Sequence, residues 1–170
     1  NPNNPTGYVY TRREMEQMRD LVKRYNLYLF SDEVYREFIY NDTPYVSACH
    51  LEGIEENVVL IDSVSKRYSE CGIRIGALIT KNRRLHETVM KFCQARLSPP
   101  LIGQIAANAS LKENGEYMQR IFDEYKERRD FLIDRLNRIP GVYSPMPQGA
   151  FYTLARLPVE DTDAFCAWCL

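Results

Sequence analysis

The chain has 170 residues, 45% of them hydrophobic and 26% charged, the proportions of an ordinary soluble globular protein. Its 22 basic and 23 acidic residues leave a net charge of −1, without the basic excess of a nucleic-acid binder. No apolar run approaches the roughly 18 residues that cross a membrane, and the opening Asn1-Pro2-Asn3-Asn4-Pro5 lacks the charged leader and apolar stretch of a signal peptide.

In chain order, Thr11 is a helix N-cap and Glu14 completes a capping box. Met15, Met18, Val22 and Tyr25 then mark one helical face down to Asn26. The apolar runs at residues 27–30, ending in Ser31-Asp32, and 58–61, ending in Asp62-Ser63, read as strands, with a third at 75–80. Such continuous runs suit a sheet covered on both faces. Helical patterns follow at about 83–95 and, after Pro99-Pro100, to about Leu111. Asn114-Gly115 breaks the pattern, and a long helix is expected from about Glu116 to Arg138, stopped by Pro140-Gly141. Tyr143 and residues 151–154 read as strands around the turn Pro147-Gln148-Gly149. Strands alternating with helices give an α/β architecture, with a domain boundary expected between residues 113 and 114.

Five scattered cysteines do not form a disulfide framework, which favours a reducing cytoplasm. Cys166 and Cys169 form a CxxC on a helix-like pattern and read as a helix face in the core. His50 and His86 are far apart and suggest no metal cluster. The turn-dense start and the uncapped amphipathic end both read as cuts through something larger.

Four local features carry chemistry. Asn4-Pro5-Thr6-Gly7 is a turn sequence. Ser31-Asp32-Glu33-Val34-Tyr35 sets a carboxylate just past a strand, where ligands sit in open α/β sheets. Ser63-Val64-Ser65-Lys66 sets two hydroxyls and an amine at the end of the next strand. Gly72-Ile73-Arg74-Ile75-Gly76 offers a guanidinium between two flexible points. Each alone has a plain reading: a turn, a helix-capping carboxylate, a polar loop with a solvated lysine, a surface arginine. Together they are specific. Asn4 and Asp32 are 28 residues apart, Asp32 and Lys66 34, Lys66 and Arg74 8.

In order, spacing and strand-end placement this set resembles the class I/II aminotransferases, the fold-type I pyridoxal 5′-phosphate (PLP) enzymes. Within that family it most resembles bacterial aspartate aminotransferases. The resemblance runs over the whole chain, including Pro147-Gln148-Gly149-Ala150-Phe151-Tyr152, similar to a small-domain turn of the family. It implies part of a PLP-dependent transferase large domain at residues 1–113, a mainly parallel sheet with flanking helices, then part of an α+β small domain at 114–170. It also implies that the strands ending at Asp32 and Ser63 are parallel neighbours, with 75–80 antiparallel beside them.

The same resemblance implies roles. Lys66 forms the Schiff base with the cofactor aldehyde. Asp32 keeps the pyridine nitrogen protonated. Asn4 and Tyr35 donate to the phenolic oxygen. Arg74 grips the phosphate bidentately, with Ser63 and Ser65 as hydroxyl partners. The freed lysine moves the α-proton in transamination between an amino acid, with aspartate as one candidate, and a 2-oxo acid. The resemblance further implies a homodimeric parent of more than twice this length. Its phosphate loop, ring-stacking aromatic and substrate-carboxylate arginine would lie outside these residues, leaving the isolated 170 residues without useful catalysis. Other readings are a carbon–sulfur lyase or related reaction on the same scaffold, a PLP-sensing domain of a transcription regulator, and a scaffold that has lost its chemistry.

Overall fold

The structure is a computed structural model that describes residues 1–113 and 115–170. Helix α1 spans Arg12–Tyr25. Its start follows from the capping box: the Thr11 hydroxyl accepts from the Glu14 N–H, and the Glu14 carboxylate accepts from the Thr11 N–H at 2.7 Å. Lys23 and Arg24 in the last turn face the negative end of the helix dipole. Asn26 closes the helix in the left-handed region at φ 49°, and the Leu27 N–H reaches back to the Val22 carbonyl. That 6→1 bond is a Schellman closure. It keeps Leu27 in the helix end, so strand β1 covers Leu29–Asp32, two residues later than the sequence pattern suggested.

Strand β2 is Val58–Ser63 and strand β3 is Gly76–Ile79. The sheet order is β1-β2-β3. β1 and β2 run parallel, with Leu29 opposite Val58 and Asp32 opposite Ile61. β2 and β3 run antiparallel, with Ser63 opposite Gly76. This is the arrangement the family resemblance implied, a small mixed sheet. Helix α2 is a single turn, Val64–Arg67, directly after β2. Helices α3 (Arg83–Arg96), α4 (Leu101–Ser110), α5 (Gly115–Asn137) and α6 (Thr162–Trp168) follow. Asn82 caps α3 by accepting from the Leu85 N–H at 2.8 Å. The break expected at Asn114 lies outside the described residues.

Two apolar clusters carry the packing. The first joins Met15 and Val22 of α1 to Val46, Ala48, Leu51, Ile54 and Val58; burying each of these side chains other than that of Ala48 is worth about 2 kcal/mol. The second is aromatic. Tyr35, Phe38 and Ala150 are buried, with Ile121, Tyr125, Phe151 and Tyr152 against them. Phe151 stacks on Tyr125 at 4.5 Å and meets Phe38 edge-on at 5.2 Å.

Three expectations are corrected. The sheet is not covered on both faces: Val58, Val59 and Leu60 are buried, but Phe30 is 64% exposed and every residue of β3 is exposed. The segments at Tyr143 and 151–154 form no strands. Isolated bridges occur at Tyr143 with Arg156 and at Gly149 with Ile39, while Phe151 and Tyr152 go into the aromatic cluster. Cys166 and Cys169 lie on or next to α6 as expected, yet both are exposed rather than in the core. Among the described residues no helix is long and apolar enough to cross a membrane, and no group of three or more His, Cys, Asp or Glu could hold a metal.

Candidate active site

Parallel pairing brings the carboxyl ends of β1 and β2 side by side, the place where open sheets hold ligands. Asp32 ends β1. Its Oδ1 accepts from the Val34 N–H at 3.2 Å, an Asx turn that bends the chain back, and its side chain is left exposed. Glu33 points the other way and is 1% exposed. Its Oε1 accepts from the Ser31 hydroxyl and the Ala48 N–H, each at 2.9 Å, and its Oε2 from the Tyr45 hydroxyl. Burial, then the hydrogen bond to Glu33, pushes the Tyr45 phenol far above its ordinary range. A buried carboxylate held by three donors fixes the turn that follows Asp32.

That turn places Tyr35, which is buried. Its hydroxyl lies 2.7 Å from that of Tyr152. Its ring meets those of Phe151 and Tyr152 edge-on. Burial, then the Tyr152 hydrogen bond, holds the Tyr35 phenol well above its usual value, while a hydrogen bond from Asn4 acts in the opposite sense.

Asn4 stands in a tight turn built by its neighbour. The Asn3 side-chain carbonyl accepts from the Thr6 hydroxyl at 2.7 Å, and the Asn3 backbone carbonyl accepts from the Gly7 N–H at 2.9 Å. The turn is clasped from outside by residues 147–149. The Gly7 carbonyl accepts from the N–H groups of Gln148 and Gly149, at 2.9 and 2.8 Å, and the Gln148 side chain accepts from the Val9 N–H at 3.0 Å. Gly7 has φ +68°, and a Cβ there would lie 2.5 Å from Pro147 Cβ. Only glycine permits both the conformation and the approach.

At the end of β2, Ser63 caps α2 by accepting from the Ser65 N–H at 3.0 Å. Its hydroxyl also lies 2.8 Å from the Ser65 hydroxyl and 3.0 Å from the Ile75 carbonyl. One turn later Lys66 Nζ sits 5.8 Å from the ring centres of both Tyr35 and Phe151. Lys66 takes part in no ion pair among the described residues. Arg74, in the left-handed region at φ 59°, donates to the Cys71 carbonyl at 2.9 Å. Ser63, Ser65 and Arg74 line one cleft, together with Gly76, Cys93 and Arg96.

The structure thus gathers the expected residues into two adjoining groups. Tyr35 and Lys66 meet at the aromatic cluster, with Asn4 near enough to act on the Tyr35 phenol, and Ser63, Ser65 and Arg74 share the neighbouring cleft. Asp32 lies at the strand end between the Asn4 turn and Tyr35, close enough to act on the Tyr35 phenol through its charge. Sequence reasoning missed Tyr152 and Phe151 as partners of Tyr35 and Lys66. It also missed an ion-pair network of Arg36, Glu37, Asp62 and Arg67 beside Lys66. The one available signal was local: Arg36 and Arg67 directly follow Tyr35 and Lys66.

A carboxylate, a phenol and an amine at the ends of a parallel strand pair define an open-sheet α/β protein with a strand-end cleft. The chain belongs to the aminotransferase class I and II family, whose profile matches residues 1–170. It is 34% identical to an aspartate aminotransferase of Thermotoga maritima over 97% of the chain and 42% of that protein. It is 31% identical to an aromatic-amino-acid aminotransferase of Thermococcus litoralis over 95% of the chain and 41% of that protein. The fold superposes on the crystal structure of an aspartate aminotransferase from Thermotoga maritima with a TM-score of 0.86, at 32% identity, covering 98% of the chain and 43% of that structure. The chain therefore spans about two fifths of the length of the relatives it matches.

Proposed function

We propose that this chain carries the lysine-bearing part of a PLP-dependent aminotransferase that moves an amino group between an amino acid and a 2-oxo acid, with Lys66 as the residue that bonds the cofactor. The observation that carries this reading is the setting of Lys66: an amine with no ion-pair partner among the described residues, held over the rings of Tyr35 and Phe151 beside a cleft lined by two hydroxyls and a guanidinium. The donor set fits PLP group by group. An amine suits its aldehyde, a carboxylate its ring nitrogen, an amide and a phenol its phenolic oxygen, and Ser63, Ser65 and Arg74 its phosphate. When bound, the cofactor supplies the aldehyde and an electron-withdrawing ring that stabilises charge at the substrate α-carbon.

The residues then divide the work. Lys66 Nζ takes the α-proton of the amino acid and returns it, base and acid in one residue on a one-turn helix. The exposed Asp32 carboxylate holds a proton on a neighbouring ring nitrogen, since an opposite charge favours the charged form. Tyr35 keeps its phenol proton at physiological pH, as an ordinary phenol does, and so can donate it, and Asn4 adds an amide donor. Arg74 is a planar fork suited to a phosphate.

The names of the relatives support aspartate as one substrate, and one related structure is an alanine aminotransferase from Pyrococcus furiosus with a TM-score of 0.84. We further propose a cytoplasmic, homodimeric parent enzyme, its cofactor-binding part including residues 1–113 and its smaller part including 114–170. Exposed apolar side chains such as Phe92, Leu101 and Ile102 support association.

The test is to incubate the intact protein with PLP, reduce with borohydride, and locate the label by mass spectrometry. Label at Lys66 is expected. Label scattered over other lysines, or undiminished in Lys66→Ala, sinks the assignment.

A further inference from the structure

We propose that Asp62 is a positioning residue for Lys66. It gathers the arginine after Tyr35 and the arginine after Lys66 onto one carboxylate, and so sets the lysine amine against the tyrosine ring. This rests on the functional reading above and deepens it, because no family motif in the sequence marked Asp62, Arg36 or Arg67.

Asp62 is the penultimate residue of β2. Its Oδ1 accepts from the Ser63 N–H at 2.8 Å, at the N-cap of α2. Its Oδ2 accepts from Arg36 Nη2 at 2.9 Å and from Arg67 Nη2 at 3.2 Å. Arg67 Nη2 also lies 3.4 Å from Oδ1, so this one nitrogen bridges both carboxylate oxygens. Glu37 closes the ring of charges. Its Oε1 is 3.2 Å from Arg67 Nε, as an ion pair without an aligned hydrogen bond, and 3.6 Å from Arg36 Nε.

Three features separate this network from an ordinary surface pair, which contributes little. The side chains of Arg67 and Asp62 are only 16% and 17% exposed, and that of Arg36 24%. Guanidinium forks fix direction as well as charge. The network also joins three pieces of backbone: the turn after β1, the end of β2 and the last residue of α2. Arg36 follows Tyr35 and Arg67 follows Lys66, so fixing both arginines fixes the two residues before them. The distance of 5.8 Å between Lys66 Nζ and the Tyr35 ring follows from that.

The network has a second consequence. Two cations and two anions sum to zero, and the Asp62 carboxylate is already filled by three donors. Asp62, four residues before Lys66, is thus engaged by the two arginines and the Ser63 N–H. Among the described residues Lys66 has no ion-pair partner, and the arginines that hold Asp62 keep that carboxylate engaged elsewhere.

The experiment uses the intact protein and two substitutions. Asp62→Asn removes the anion. Arg67→Lys keeps the charge balance and removes the fork. For each, the PLP concentration giving half-maximal borohydride-trapped label at Lys66 is measured, with the share of label on other lysines and the thermal midpoint. Asp62→Asn is expected to raise the half-saturating concentration about tenfold, as loss of positioning does, and to spread label to other lysines; Arg67→Lys is expected to act in the same direction. A role in stability alone would lower the midpoint and leave half-saturation unmoved. Half-saturation within about twofold of the unsubstituted protein in the folded variants overturns the proposal. If Asp62→Asn fails to fold, Arg67→Lys decides by the same criterion. Absence of Lys66 label in the unsubstituted protein overturns the functional reading, and this inference with it.

Discussion

Tyr35 is tied down at both ends: its ring by Phe151 and Tyr152, its hydroxyl by Tyr152. Tyr35→Phe keeps the ring and removes the hydroxyl. We expect kcat of the intact protein to fall about tenfold, the scale of one hydrogen bond to a charged group, with the thermal midpoint lowered by only a few degrees. An unchanged kcat in a steady-state assay would remove Tyr35 from the site. A pH effect arises elsewhere. Hydrogen bonds from Tyr8 and then Thr11 lower the Glu14 carboxyl below its usual value. A lowered carboxylate stabilises the fold at neutral pH; that contribution begins to fall as pH drops below the ordinary value of about 4.3 and is lost as pH falls through the lowered value of the folded state. Glu14→Gln should therefore flatten the acid limb of a stability-against-pH curve, followed by urea denaturation. At this scale the candidates Asn4, Asp32, Tyr35, Lys66 and Arg74 could be picked out because each lies in a short motif with its own spacing. Tyr152 was not, since its pairing with Tyr35 spans 117 residues and only the folded topology specifies it.

Secondary structure was legible where its cause is local. Thr11, Glu14 and Asn26 bound α1 by caps that the sequence displays, and Thr11→Ala should cost about 1 kcal/mol, measurable by chemical denaturation. The apolar runs gave all three strands, with β1 displaced only by the helix closure at Leu27. Legibility failed where one pattern has two physical solutions. Phe151 and its neighbours read as a strand, but an aromatic residue favoured in strands is equally favoured in a ring cluster. Tyr125, Phe38 and Tyr35 offered that cluster. Burial failed for a related reason: a continuous apolar run shows that a strand is suited to cover, and says nothing of which chain provides it. Phe30 on β1 is the instance, apolar yet exposed.

Across the whole molecule, the aromatic cluster and the clasp between residues 7 and 147–149 join the two halves of the chain. Phe38 is fully buried among Tyr125 and Phe151, and Phe38→Ala should cost about 3–5 kcal/mol, seen as a fall in the denaturation midpoint. Gly7→Ala combines a strained φ with a clash against Pro147 and should cost at least about 1 kcal/mol. It should also weaken PLP labelling of Lys66, because Asn4 shares the displaced turn. The clasp has a further consequence, for the order of events during synthesis. Val9 and Gln148 are 139 residues apart, and Phe151, which covers Lys66, comes later still. Contacts of such separation close late, after local helices have formed. Since chains emerge from the ribosome N-terminus first, Asn4 and Lys66 are made early and wait, unfixed, for residues 147–152. The site is therefore among the last parts of these residues to be completed, and a nascent chain halted before Pro147 would carry every recognisable motif from Asn4 to Arg74 without the clasp that holds Asn4 in place.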